Sequence, residues 1–367
     1  MGSAAPAPDA GPRAVLARVL ALPREAGTPE AAEARGLIAE WLAARGYTVT
    51  TQRFSFNPST LDAFPLLGTG LGGLALLVLP LLLLAGVPRW AAAAAWFAAL
   101  AALAIFAAGV GLGWAGFGSK AREDANLVAV RGASPVTRWI VAHADTKAQG
   151  HSMAGRIVAV WTVLAAIAIM TALALLRLGG PLGAAVAAAG VALTVVAGAL
   201  AARGRLRGRS PGARDNGSGL HAALAAAEVA GEGTGILITG AEEFGLIGAR
   251  IFAQLAGGEL RGAEVVNIDT VDDRGDLYLV SHDGRGAELA RRELPALAKL
   301  GPRVRTRALP LGIFVDSHPL ARAGAAAITI GRLDWSTLRR LHTAADTPDG
   351  LDFDLAIRIG RAVARAN

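Results

Sequence analysis

Ile236-Leu-Ile-Thr-Gly-Ala-Glu242-Glu243-Phe-Gly-Leu246 carries an apolar, β-rich run at 235–240 into two adjacent carboxylates, and then into a helical stretch at about 245–257. A short apolar run followed by a helical pattern reads as strand into helix. The same alternation extends outward in both directions. Short β-rich runs recur at 126–131, 138–143, 264–269, 276–281 and 326–330, and Tyr47 to Phe56 alternates apolar and polar residues as a strand. Helical stretches lie at about 219–230, 285–299 and 351–365. Thr28-Pro29-Glu30 supplies an N-cap, a first-turn proline and an early acid, which opens an amphipathic helix reaching about Arg45. Strand alternating with helix implies an α/β sandwich around a mainly parallel sheet, with some strand pairs free to be antiparallel. In such sheets, sites gather at the carboxyl ends of the strands.

Between these pieces the composition changes. The 367 residues are 53% hydrophobic and only 18% charged, against roughly 25% charge in an ordinary soluble domain. Residues 63–88, 90–119, 157–176 and 178–202 contain no Asp, Glu, Lys or Arg. Each reaches the length of about 20 residues that a helix needs to cross a hydrocarbon core. Gly86-Val-Pro-Arg89 and Arg177-Leu-Gly-Gly-Pro-Leu-Gly183 are turn chemistry, so four transmembrane helices are expected as two inserted hairpins, 63–117 and 155–203. Trp90, Trp96, Trp114 and Trp161 lie in or beside these runs, and the two near run ends suit an interfacial belt.

Two hairpins return the chain to the side it left, so residues 1–62, 118–154 and 204–367 should form one globular domain in one compartment. Twelve basic residues near the run ends lie on the globular side, Arg138, Lys147 and Arg214 among them, against Arg89 and Arg177 at the tips. That asymmetry predicts a multi-pass protein of the cell membrane with its globular domain in the cytoplasm. Arg203, Arg205, Arg207 and Arg209 would also attract anionic lipid head groups. No aromatic or base-reading residues accompany those arginines, so nucleic acid is not an expected partner. The opening Met1-Gly-Ser-Ala-Ala-Pro-Ala-Pro-Asp9 has no basic-then-apolar signal, so no secretory peptide is expected. Cysteine is absent, which excludes a disulfide scaffold and a thiolate metal site. No span carries an Asp, Glu, Lys or Arg to line a transport path.

Five small constellations carry acids and imidazoles. Trp139-Ile-Val-Ala-His143-Ala-Asp145 ends a strand, and residues two apart project to one face, so Asp145 can meet His143. Gly212-Ala-Arg-Asp215-Asn-Gly-Ser-Gly219 forces a turn that leaves Asp215 at the mouth of a helix, a place that helix capping would also explain. Glu242 and Glu243 follow a buried strand, where adjacent carboxylates persist comfortably only beside something positive; first-turn acids favoured by a helix dipole are the simpler alternative. Glu264-Val-Val-Asn-Ile-Asp269 is an apolar strand ending in an acid, and Leu341-His342-Thr-Ala-Ala-Asp346-Thr347 precedes the last helix. Together they supply nitrogen and oxygen donors that suit Zn2+, Mn2+ or Co2+, in a number large enough for two ions.

In this order, HAD, RDNGSG, AEEFGLIGA, NID and LHTAADT resemble the zinc aminopeptidases of the aminopeptidase Y and bacterial leucyl aminopeptidase type, whose relatives include glutamate carboxypeptidase and the glutaminyl cyclases. The resemblance covers nearly all of the chain outside the apolar runs. It implies a three-layer zinc-exopeptidase-like domain holding two zinc ions, with Mn2+ or Co2+ as substitutes. His143 and Asp269 would hold one ion, Glu243 and His342 the other, and Asp215 would bridge them. Glu242 would be the general base activating a bridging water, and Asp145 would orient His143. Asp346 would fix the loop carrying His342, and Asp316 and His318, in the Asp316-Ser317-His318-Pro319 segment, would contact substrate. The expected partners are peptides with a free N-terminus and the lipid bilayer, and self-association into a homo-oligomer is compatible with both. The family's soluble members lack the two hairpins. Asp145 and Asp215 lie close in sequence to the spans, so small or apolar-tailed substrates arriving near the membrane plane are expected. The alternatives are a glutaminyl-cyclase-like acyl transferase with one working zinc, or a metal-stabilised membrane receptor or scaffold without catalysis.

Overall fold

The computed structural model describes residues 11–58, 61, 63–111, 120–310 and 312–365. The opening residues, and the end of the second apolar run with Trp114, lie outside the described residues. Two compact units divide the chain. Met1–Phe56, Ala121–Ala148 and Gly208–Asn367 form one, and Asn57–Lys120 with Gln149–Arg207 form the other.

Along the chain, α1 (Pro12–Leu20) and α2 (Pro29–Ala43) lead into β1 (Thr48–Phe56) and the apolar helices α3 (Ala63–Leu83) and α4 (Ala91–Gly111). Next come β2 (Arg122–Val130), β3 (Arg138–His143) and a second apolar pair, α5 (Met153–Leu176) and α6 (Ala184–Ala202). The remainder runs α7 (Gly219–Val229), β4 (Thr234–Thr239), α8 (Ile247–Ala256), β5 (Glu264–Val271), β6 (Asp276–Ser281) and α9 (Gly284–Ala298). It closes with β7 (Val304–Ala308), α10 (Ser317–Arg322), β8 (Ala326–Leu333), α11 (Trp335–Leu338) and α12 (Asp354–Ala364).

The larger unit is built on an eight-stranded sheet in the order β1-β2-β4-β3-β5-β8-β6-β7. The centre, β4-β3-β5-β8, is parallel throughout. Antiparallel pairs join β1 to β2, β2 to β4 and β6 to β8. Every residue of β3 and β4 is buried, as expected for strands covered on both faces. Alternate side chains divide between two cores. Ile140 and Ala142 join the core that includes α1, α2, α7, α9 and α12, while Trp139 and Val141 join the one that includes α8 and α10. The result is three layers, helices on both faces of a mixed, centrally parallel sheet. Local sequence sets the helix starts: the Thr28 side chain accepts from Ala31 N with Pro29 behind it, as expected, and Asp283 caps α9. Because β4, β3 and β5 run in one direction side by side, their carboxyl ends open on the same rim.

The smaller unit is a bundle of the four apolar helices, each long and apolar enough to cross a membrane, with hydropathies of 2.1 to 2.5. Helices α3 and α6 approach closely because small residues face each other. A Cβ on Gly68 would lie 2.4 Å from the Ala201 Cβ, and one on Gly198 would lie 2.3 Å from the Gly68 carbonyl oxygen. Such contacts drive helix association where hydrocarbon removes the hydrophobic incentive. Trp96 is buried within the bundle and donates from Nε1 to Thr171 Oγ1 at 2.9 Å. Large apolar side chains point outward instead, with Leu77 and Ile105 each 72% exposed. Arg177, at a hairpin tip, is buried and caps the end of α3 by donating to the carbonyls of Leu81, Leu84 and Val87.

Candidate metal centre

Three of the donor segments sit at the carboxyl ends of the parallel strands. His143 is the last residue of β3, Glu242 and Glu243 follow β4, and Asp269 stands near the end of β5. The β5–β8 register shifts between Ile268 and Val271, an irregularity of the kind that re-aims a side chain. Asp215 comes from the turn before α7, and His342 from the loop after α11. Ala241, Leu246, Thr270 and His342 are the non-glycine residues with positive φ among the described residues, and all lie in or beside these segments. Left-handed backbone costs about 1–3 kcal/mol per residue and concentrates at functional sites.

The side chains converge. His143 Nε2 lies 3.1 Å from Asp215 Oδ1 and 3.7 Å from Asp269 Oδ1. His342 Nε2 lies 3.2 Å from Asp215 Oδ2 and 3.3 Å from Glu243 Oε2. Two overlapping donor groups result, His143–Asp215–Asp269 and Asp215–Glu243–His342, each with its donor atoms within 4.8 Å of one another. His143 Nε2, His342 Nε2 and Glu243 Oε1 are buried without a hydrogen-bond partner. Buried polar atoms left unsatisfied in a cluster of imidazoles and carboxylates are what a divalent cation would satisfy. These residues fit Zn2+, Mn2+ or Co2+.

The electrostatics agree with that fit. Burial disfavours the His143 imidazolium, but the Glu242 carboxylate and then Asp145, Asp215 and Asp269 outweigh it and hold the pKa well above the ordinary value. Burial and Lys147 also oppose charge on His342, yet Glu243 and Asp215 raise its pKa. Burial would lift Asp215, but the two histidines pull it far down. Glu243 is similarly lifted by burial, then brought to about 2 by Lys147 and His342. Glu242 goes the other way: burial raises its pKa well above the carboxylate range, and Glu243, Asp316 and Asp269 add to the rise against His143. The cluster gathers more negative charge than its own side chains balance, which is an environment for a cation.

Asp145 touches more than His143. His143 Nδ1 faces the Asp145 backbone oxygen at 3.1 Å, and its carboxylate oxygen at 3.7 Å. The carboxylate also accepts the backbone N–H of Glu242 on Oδ1 and of Glu243 on Oδ2, each at 3.1 Å. Asp145 therefore fixes the paired glutamates as well as the imidazole. Asp346 accepts the backbone N–H groups of Arg214 and Asp215 at 2.9 and 3.1 Å, which ties the Asp215 turn to the segment bearing His342. Asp316 is buried beside the cluster and accepts from Thr239 Oγ1; burial lifts its pKa to about 7. His318 stacks with His282, ring centroids 5.3 Å apart, outside both donor groups.

Two supporting residues escape sequence reasoning. Arg24 is fully buried and donates to the carbonyls of Ala144, Pro211 and Gly212, at 2.8, 3.0 and 2.9 Å, so one guanidinium grips both the His143–Asp145 and Asp215 segments. Lys147 sits 2.6 Å from Glu243 Oε2. Nothing local distinguishes either from an ordinary basic residue.

A family model described as Peptidase family M28 matches residues 128–366. The chain belongs to peptidase family M28. Solved structures share its fold at low identity. An aminopeptidase from Aneurinibacillus sp. strain AM-1 is 17% identical, with 97% of this chain and 93% of that one covered at a TM-score of 0.55. A zinc aminopeptidase from Bacillus subtilis is 15% identical, covering 97% and 94% at 0.55. The Fimbriiglobus ruber glutaminyl cyclase is 14% identical, covering 100% and 96% at 0.57. Comparison with curated protein sequences finds none that matches. The five motifs thus resemble the family to which the chain belongs, and its fold is the one shared by these aminopeptidase and glutaminyl cyclase structures.

Proposed function

We propose that this M28 protein is a zinc-dependent aminopeptidase, anchored in the lipid bilayer, that removes N-terminal residues from peptides. The observation that carries the reading is the meeting of five donors in two groups sharing Asp215. His143 and Asp269 would hold one ion and Glu243 and His342 the other, with Asp215 between them. Zinc held by these residues would polarise the scissile carbonyl, lower the pKa of water and engage the substrate's free amine. Glu242, buried beside both donor groups, takes the proton of the attacking water and returns it to the departing amine. Asp145 holds the backbone of both glutamates in place, and Asp316 contacts the substrate. The four apolar helices support a multi-pass anchor with the catalytic unit in the cytoplasm, acting on small or apolar-tailed peptides.

The test is zinc content together with aminoacyl-anilide hydrolysis for the full chain in detergent, as wild type and as Glu242→Gln. We expect turnover to fall by roughly 10²–10⁴-fold with zinc retained; unchanged turnover would remove Glu242 from its role. A glutaminyl-cyclase-like reading with one working zinc draws support from the ammonium already resting on Glu243. A Gln-initiated peptide separates the two, since a pyroglutamyl product without free glutamine selects the cyclase. Bound zinc with neither product selects a receptor or scaffold.

A further inference from the structure

Lys147 is 4% exposed and lies two residues beyond Asp145. Its ammonium is 2.6 Å from Glu243 Oε2 and donates to the Glu243 backbone carbonyl at 3.3 Å. That same Oε2 is the atom 3.3 Å from His342 Nε2. A single oxygen thus faces both a resident cation and the Asp215–Glu243–His342 donor group. The other group is different: among the described residues, the carboxylates of Asp215 and Asp269 form ion pairs only with histidines. Arg24 spends its guanidinium on backbone carbonyls.

We propose that Lys147 competes with a metal ion for Glu243, so that the two donor groups load unequally. The His143–Asp215–Asp269 group fills first. The Asp215–Glu243–His342 group accepts an ion only by displacing the ammonium from Glu243 or by tolerating it alongside. An opposite charge beside a buried carboxylate stabilises its ionised form by roughly 10- to 1000-fold, and an incoming ion forfeits that contribution. The displaced ammonium then repels the ion that replaced it, in a setting where charge interactions are weakly screened. Occupancy of the second position, and with it the balance between one-ion and two-ion chemistry, is thereby set by a side chain that is not a ligand. This inference rests on the metal-dependent reading above.

The experiment is zinc titration of the full chain in detergent after chelator stripping, with stepwise affinities from calorimetry and bound zinc from elemental analysis. Wild type should take one ion tightly and a second at least roughly tenfold more weakly. Lys147→Met should tighten the second step roughly tenfold and leave the first unchanged, whereas Lys147→Arg, which keeps the cation, should preserve the gap. Lys147→Gln serves as a parallel neutral variant, with circular dichroism reporting folding of each. Two equal steps in wild type overturn the proposal, as does a second step that neutral variants leave unmoved. In either of those cases the metal-dependent reading survives. No bound zinc in any protein overturns both.

Discussion

Asp215 turns its two carboxylate oxygens to different imidazoles, and the backbone that carries it is held from two sides. Asp346 takes its N–H, and Arg24 grips the carbonyls of Pro211 and Gly212 just upstream. Arg24 reaches across to Ala144 as well, so its planar fork sets the spacing of two donor segments at once. Lysine offers one compact ammonium and cannot reproduce that span. Arg24→Lys should therefore lower kcat at least roughly tenfold and lower Tm, because it leaves buried carbonyls unsatisfied; wild-type kinetics would show that the clamp is dispensable. The ligand-type residues were legible beforehand, since an imidazole or acid at the end of an apolar strand has few ordinary uses when five occur in one chain. Arg24 and Lys147 were not. Their partners lie 120 and 96 positions away, and a basic residue near a membrane run looks like a flank. Only the packed structure shows where each is spent.

Among the elements, β3, β4 and β5 do most to build the site. Their apolar runs, charged in β3 and β5 only toward the ends, are readable because a buried parallel strand has little choice of composition. Strand β7, Val304-Arg-Thr-Arg-Ala308, is hidden in the sequence: it is a largely exposed edge strand with arginines where a buried strand would carry apolar residues. Helix α1 is short enough to escape the sequence pattern as well, although Pro12 opens it and Val15, Leu16, Val19 and Leu20 form its buried face.

Helix α7 packs His221 flat against Phe353, ring centroids 3.9 Å apart, with Nδ1 on the Gly217 carbonyl. Burial lowers the His221 pKa from 6.5 to about 4. The folded chain keeps this ring neutral while the unfolded chain protonates it near 6.5. The stability it contributes is complete above that pH and is lost as pH falls toward 4, by at most about 3 kcal/mol. His221→Gln should flatten the fall in Tm between about pH 7 and pH 4.5 relative to wild type; parallel profiles would contradict this. In the bundle, Gly198→Leu should separate α3 from α6, since even a Cβ would meet the Gly68 carbonyl. Lowered yield and Tm in detergent are expected, and an unchanged melt would exclude close packing there.

At the scale of the molecule, the charge asymmetry across the hairpins changes once side chains are located. Arg138 is committed to Glu264 and Glu293, Arg214 to Asp272 and Lys147 to Glu243, all buried. None of these can act as a membrane flank. Of the basic residues flanking the apolar runs, Lys120, Arg156, Arg203, Arg205 and Arg207 belong to the helical unit and would share one side if each hairpin spans a bilayer. At the tips there are Arg89 and the buried cap Arg177. The bias is smaller than the raw sequence implies but keeps its sign. Because the chain lacks cysteine, single introduced thiols report topology cleanly. In intact cells an impermeant maleimide should label Gly179→Cys at a tip and spare Arg285→Cys in the catalytic unit. The reverse pattern would place that unit outside the cell.

A cluster assembled only from imidazoles and carboxylates, in a polypeptide without a single thiol, presents peroxide with no thiolate to attack. Sulfenylation and disulfide capture, which silence thiolate-ligated zinc proteins, have no foothold here. The donor set itself carries no group that thiol–disulfide exchange can reach.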